Sequence, residues 1–138
     1  RIKEILVLSN GEKVPPADIE MAIAKDTLFD QLLVIGEQKP FLSAIAVLNE
    51  DAWKKLAEKL AIEATEENAN SEKARNEILK RMNEQIKDFP GYANIYKVHS
   101  TFEPWTVENG LITPTLKLKR NVILDKFRDA VEEIYKGH

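Results

Sequence analysis

The hydrophobic and polar positions change period several times along the chain, and each change marks an element. Residues 5–8, Ile-Leu-Val-Leu, form a short apolar run, and Ser9-Asn10-Gly11-Glu12 is turn chemistry. Lys13-Val14-Pro15 then returns as a second strand, so residues 1–15 predict a hairpin. Pro16 suits a first helical turn, and Ile19, Ala22 and Ile23 recur at helical spacing behind it. Gln31-Leu32-Leu33-Val34-Ile35-Gly36 is a compact apolar run, and after a turn at Lys39-Pro40 residues 41–48 alternate small and branched side chains. Two neighbouring buried strands are the simplest account.

Helical spacing takes over at Asn49, a capping residue followed by Trp53, Leu56 and Leu60 on one face. Residues 61–70, "AIEATEENAN", lose the apolar period and predict a mobile connection or a frayed helix end. Ala74, Ile78, Met82 and Ile86 then recur at steps of four, predicting a long helix from Ser71 to about residue 87, stopped by Pro90-Gly91. In residues 92–102, Ile95, Lys97 and His99 alternate with Tyr96, Val98 and Ser100, which predicts a strand with unequal faces. A long loop over residues 103–120 follows. The chain closes on one helix over residues 118–135, with Thr115 available as its cap and Ile123, Phe127, Val131 and Ile134 as its stripe. This order predicts a single α+β domain, an N-terminal hairpin plus a three-stranded sheet flanked by helices. No internal repeat or low-complexity tract interrupts it.

Composition narrows the function. A chain of 138 residues with 43% hydrophobic side chains builds one real core. Its 20 basic and 23 acidic residues give a net charge of −3, so no global positive field exists to hold a nucleic-acid backbone, and any anion must be held locally. The absence of cysteine removes disulfides, thiolate zinc sites and cysteine nucleophiles, and fits a reducing compartment. No apolar run approaches the roughly 20 residues that span a bilayer, and no signal segment opens the sequence, so the expected location is cytoplasmic. The chain starts at Arg1, directly in a strand-like pattern, and is expected to be cut from something longer.

Candidate chemistry concentrates in two stretches. His99 and His138, the two histidines, have no carboxylate or serine at a triad spacing and read as a strand-face residue and a tail residue. The charges of residues 71–87 read as a solvated helix face. In "SNGEKVPP", Gly11 serves either a positive φ in the turn or the close passage of a ligand along the backbone. In "TPTLKLKR", Lys117, Lys119 and Arg120 are either solvated cations at a helix start or holders of an anion.

Both stretches resemble motifs of one family. "RIKEILVLSNGEKVPPADIE" resembles the hinge and following hairpin of the adenylate-forming (AMP-binding) enzymes. "EPWTVENGLITPTLKLKR" resembles their C-terminal catalytic-lysine motif, in the form found in long-chain acyl-CoA synthetases, the fatty acid CoA ligases. Other branches place glycine before that lysine, where this chain has Leu116.

The resemblance implies the small mobile C-terminal lid domain of such a ligase, with residues 1–15 as hinge and hairpin and residues 16–138 as the remainder. It implies ATP-dependent activation of a fatty acid to acyl-AMP and acyl transfer to CoA. ATP, Mg²⁺ and CoA would bind mainly through an N-terminal adenylation domain outside this chain, so the piece alone is expected to be inactive. The implied partners are that N-terminal domain, the fatty acid, ATP and CoA, with no nucleic acid; peripheral membrane contact of the full-length enzyme is compatible with this. Residue by residue, Lys117 matches the catalytic lysine, Lys3 the hinge, and Arg1 the arginine near the nucleotide ribose. Gly11 matches the glycine lining the pantetheine tunnel, and Lys13 is placed to reach a CoA phosphate. An acyl-AMP or acyl-carrier-protein ligase, and a non-catalytic interaction domain of the same fold, are the alternatives. Trp105 and Glu108 have no assigned role.

Overall fold

In a computed structural model that describes residues 4–137, a short hairpin precedes a three-stranded sheet packed on both faces. Arg1, Lys3 and His138 lie outside the described residues. The hairpin strands β1 (Leu6–Val7) and β2 (Lys13–Val14) pair antiparallel, with Leu6 opposite Val14. Its turn forms because Asn10 Oδ1 accepts the Glu12 N–H at 2.9 Å while Gly11 takes φ +89°. The hairpin is docked by backbone: the Gln38 N–H donates to Val7 O at 2.8 Å and the Ser9 N–H to Lys39 O at 3.0 Å.

Helix α1 (Pro16–Ile23) follows, its second proline at the position where a missing N–H costs nothing. Strands β3 (Phe29–Ile35) and β4 (Leu42–Leu48) form the expected antiparallel pair. Between them Gly36 is buried against side chains: an added Cβ would overlap Leu42 Cδ2 and lie 3.3 Å from Leu8 Cδ2. Helix α2 (Glu50–Leu60) is capped by Asn49, whose Oδ1 accepts the Ala52 N–H at 2.9 Å. Helices α3 (Glu66–Ala69) and α4 (Glu72–Gln85) complete the crossover to β5 (Ile95–Thr101), which pairs parallel to β4 at the sheet edge.

Every residue of β4 is buried because it is the central strand and both faces are covered. On one face Leu32, Val34, Ala44, Ala46 and Val98 join a core with residues of α1, α2 and α4. On the other, Leu33, Ile35, Ile45 and Val47 meet Trp105, Ile123, Ile134 and Tyr135.

Three expectations are corrected. The register of β5 shifts between the pairs Leu42–Ile95 and Ser43–Lys97, leaving Tyr96 as an extra residue. The bulge puts Ile95, Val98 and Ser100 in the buried set, while Tyr96 and Lys97 are both exposed, so simple alternation fails.

Residues 61–70 are not loose. Thr65 caps α3 by accepting the Asn68 N–H at 3.0 Å, Ala69 is fully buried, and the Asn70 amide pairs with both backbone groups of Ser100. Polar side chains hold this segment, which is why it shows no apolar period.

The closing helix is two helices, α5 (Arg120–Lys126) and α6 (Arg128–Tyr135), divided at Phe127 with φ −104° and ψ 24°. The break seats the Phe127 ring 6.3 Å from that of Trp105 and brings the Tyr135 hydroxyl within 2.9 Å of Ser43 Oγ. Thr115 does not cap α5: Lys119 holds that position, without a side-chain cap.

Candidate functional site

Lys117 lies on a tight turn rather than at a helix start. The Lys117 N–H donates to Thr113 Oγ1 at 3.0 Å, the Thr113 N–H to Lys117 O at 2.8 Å, and the Leu116 N–H to Thr113 O at 2.7 Å. Below the turn Ile112 and Leu118 form an antiparallel bridge, and the Lys119 N–H reaches Leu111 O at 2.9 Å. Leu111 and Ile112 are buried in the second core, so the incoming arm is anchored by burial. The tip is not: Pro114, Thr115, Leu116 and Lys117 are exposed.

Leu116 has φ +66° and is 74% exposed. A side chain in the left-handed region is disfavoured, so this position would suit a glycine. The Lys117 ammonium makes no hydrogen bond or ion pair among the described residues, which leaves its charge free for an incoming anion. It borders a groove with Glu4, Met21, Leu32, Leu116 and Arg120.

Arg120 is not a solvated cation. Its two terminal nitrogens each donate at 2.7 Å to the two oxygens of Glu20 on α1, and its Nε pairs with Glu4. Glu20 is only 8% exposed, and its Oε2 also accepts the β3 Val34 N–H at 2.8 Å. Burial works against the Arg120 charge, but the two carboxylates outweigh it and hold its pKa above the ordinary arginine value. Lys119 is exposed at the start of α5. Of the three cations, one is locked and two are open.

Gly11 and Lys13 sit together on the hairpin, and neither borders the Lys117 groove. A Cβ at Gly11 would meet nothing within 4 Å, so its φ of +89° accounts for the glycine and the space above it is open. Lys13 is exposed beside it. Glu4, the first described residue, is tied to Arg120 and therefore to the base of the Lys117 turn.

Trp105 is 2% exposed in the second core, and its backbone N–H and C=O both pair with the Gln31 side-chain amide, at 2.7 and 2.8 Å. Glu108 is exposed. His99 is half-buried; burial holds its pKa below the ordinary histidine value, Arg75 adds to the effect and Glu66 opposes it. Its ring lies 5.9 Å from that of Phe127. The charges of α4 are not all solvated, because Arg81 forks onto Asp26 at 2.8 and 2.6 Å. No group of three or more His, Asp or Glu side chains among the described residues is arranged to hold a metal ion. No described helix is long and apolar enough to cross a membrane.

The sequence marked Lys117 and Gly11 but missed Glu20 and Arg120 as a pair. They are 100 residues apart, and the one local signal was a glutamate in an otherwise apolar helix stripe beginning at Ile19.

A family model described as the AMP-binding enzyme C-terminal domain matches residues 3–138. A long-chain-fatty-acid–[acyl-carrier-protein] ligase of Arabidopsis thaliana is 30% identical over 98% of this chain and 17% of its own length. A long-chain-fatty-acid–CoA ligase of Mycobacterium tuberculosis is 30% identical over 98% of this chain and 23% of its own. The adenylation domain of a carboxylate reductase from Mycobacterium chelonae superposes with a TM-score of 0.81 at 23% identity, over 98% of this chain and 20% of that one, which establishes the fold. The chain thus spans about a fifth of the length of the proteins it matches.

Proposed function

Because the chain belongs to the AMP-binding enzyme C-terminal domain family, we propose that it is the mobile lid of a fatty acid–CoA ligase and that Lys117 serves the adenylating step. The observation that carries this reading is an unpaired ammonium on an exposed, hydrogen-bonded turn, at the lysine of the long-chain motif. In that step a carboxylate oxygen of the fatty acid attacks the α-phosphorus of ATP, the bond to the bridging oxygen breaks, and pyrophosphate leaves. Charge gathers on the α-phosphate oxygens, and a lysine held there stabilises it as a point cation with no proton transfer. The benefit counts only where the ammonium is closer in the transition state than before it. In the second step the CoA thiol, having lost its proton, attacks the acyl carbon and AMP departs.

Under the same reading the lid changes pose between steps. Lys3 is the hinge, Arg1 contacts the nucleotide, Gly11 leaves room for the pantetheine arm and Lys13 meets a CoA phosphate. The acyl pocket, most ATP contacts and the Mg²⁺ site belong to the N-terminal adenylation domain. ATP and Mg²⁺ therefore meet Lys117, and CoA meets Gly11 and Lys13, only in the full-length protein, and the isolated chain is inactive.

Lys117→Ala in the full-length protein is expected to lower acyl-adenylate formation by on the order of 10²- to 10³-fold, as loss of one pre-set charge-stabilising donor does. Transfer from preformed acyl-adenylate to CoA should fall far less. Adenylate formation within a factor of two of the parent would overturn the assignment. The similarity to an acyl-carrier-protein ligase keeps a second acceptor in view. Offering palmitate and ATP with either CoA or carrier protein to the full-length enzyme separates the two.

A further inference from the structure

The tip that carries Lys117 has two arms, and they are held by different forces. Leu111 and Ile112 fix the incoming arm by burial, whereas the outgoing arm exposes Lys119 and half-exposes Leu118 before α5 begins. Backbone hydrogen bonds and the Ile112–Leu118 bridge tie the outgoing arm to the incoming one, and Arg120 adds a side-chain tie from its end to α1. Its guanidinium forks onto Glu20 at 2.7 Å through both terminal nitrogens, and Glu20 is itself registered on the β3 backbone through the Val34 N–H at 2.8 Å. The third donor, Nε, reaches Glu4, so one side chain joins α1, the sheet and the segment that leads from the hinge position.

We propose that Arg120 is a positioning residue for Lys117, with the buried Glu20 carboxylate as its fixed anchor. This inference rests on the adenylating role proposed for Lys117. A planar fork on a carboxylate fixes both distance and orientation, which a single ammonium does not. Because Lys117 has no partner of its own among the described residues, its reach is set by its backbone, three residues before the anchor. A turn displaced by about 1 Å is enough to reduce a rate by ~10²-fold when orientation carries the step.

The test uses the full-length enzyme and measures the two half-reactions separately, with thermal melting alongside. Arg120→Lys keeps the charge and loses the fork, and it is expected to lower the kcat of adenylate formation by roughly 10- to 100-fold with KM for ATP changed less than about threefold. Transfer from preformed acyl-adenylate to CoA should stay within about threefold of the parent, since Lys117 is not called on there. Glu20→Gln keeps the shape and removes the anchoring charge, and should repeat the same split. It also serves as the second variant if Arg120→Lys fails to fold.

Equal losses in both half-reactions, or losses that follow the melting temperature, would show a purely structural pair and overturn the proposal. So would unchanged adenylation in both variants while Lys117→Ala abolishes it. If Lys117→Ala itself leaves adenylation intact, the reading beneath fails, and the positioning role falls with it.

Discussion

Leu116 holds a backbone angle that ordinarily favours glycine. At φ +66° its Cβ carries a cost of roughly 1–2 kcal/mol, yet its side chain is exposed and gains little from packing. Leu116→Gly is therefore expected to be neutral or to stabilise by up to ~1 kcal/mol, the relief of strain offset by a looser unfolded chain. Urea denaturation of the two proteins measures it, and a loss above ~1 kcal/mol would mean that the leucine packs where the structure leaves it open. The two informative glycines should respond differently. Gly11→Ala meets open space and incurs only the positive-φ penalty of about 1 kcal/mol, whereas Gly36→Ala forces a Cβ into the fully buried Leu42 and should cost ~1–3 kcal/mol. Midpoints that fall in the reverse order, at equal m-values, would contradict this assignment. At this scale the sequence placed Gly11 in a turn while leaving open whether φ or a ligand required it, and was silent for Gly36, whose constraint comes from Leu42 across the β3–β4 connection.

Among elements, strand β5 depends on side chains for partners that a further strand would have supplied. Asn83 on α4 donates to Ile95 O at 2.9 Å and accepts the Ile95 N–H at 2.8 Å; Asn70 does the same for Ser100 at 2.9 and 2.8 Å. Each amide imitates a neighbouring backbone and blunts an open edge. Asn83→Ala removes two bonds and leaves two part-buried backbone groups dependent on water, an expected loss of ~1–3 kcal/mol. Asn83→Asp should be no better, because a carboxylate accepts the N–H but repels the Ile95 carbonyl. Amide exchange distinguishes the local effect: Ile95 should lose protection in Asn83→Ala, which removes its acceptor, while Ser100 keeps it. The capped helices were legible because Asn49 and Ser71 act on residues three positions away. The bulge at Tyr96 and the break at Phe127 were not, since both are set by what the strand or helix meets across space. The same limit hid the Arg120–Glu20 anchor, although Lys117 itself stood out in its motif.

For the molecule as a whole, the sheet separates two cores, and the second is closed late in the chain by α6. Tyr135 is its fastener: its hydroxyl lies 2.9 Å from Ser43 Oγ and donates to Phe41 O at 2.8 Å, and its ring lies 4.8 Å from that of Phe41. Burial raises the phenol pKa from 10.0 to about 12, against the lowering effect of the Ser43 hydrogen bond. The folded state therefore keeps a proton that the unfolded chain releases between these values. Stability from this group is complete below pH ~10 and declines as pH rises toward ~12, by on the order of 1–3 kcal/mol. Tyr135→Phe removes the titrating group and leaves the fully buried Ser43 hydroxyl without that partner, so it should cost ~1–3 kcal/mol at neutral pH but flatten the alkaline decline. Urea midpoints for both proteins from pH 8 to 11.5 give the comparison, with lysine titration common to each. Parallel curves would remove Tyr135 as the cause, whereas convergence of the two at high pH would identify ionisation of the phenol that closes the second core as the alkali-sensitive event.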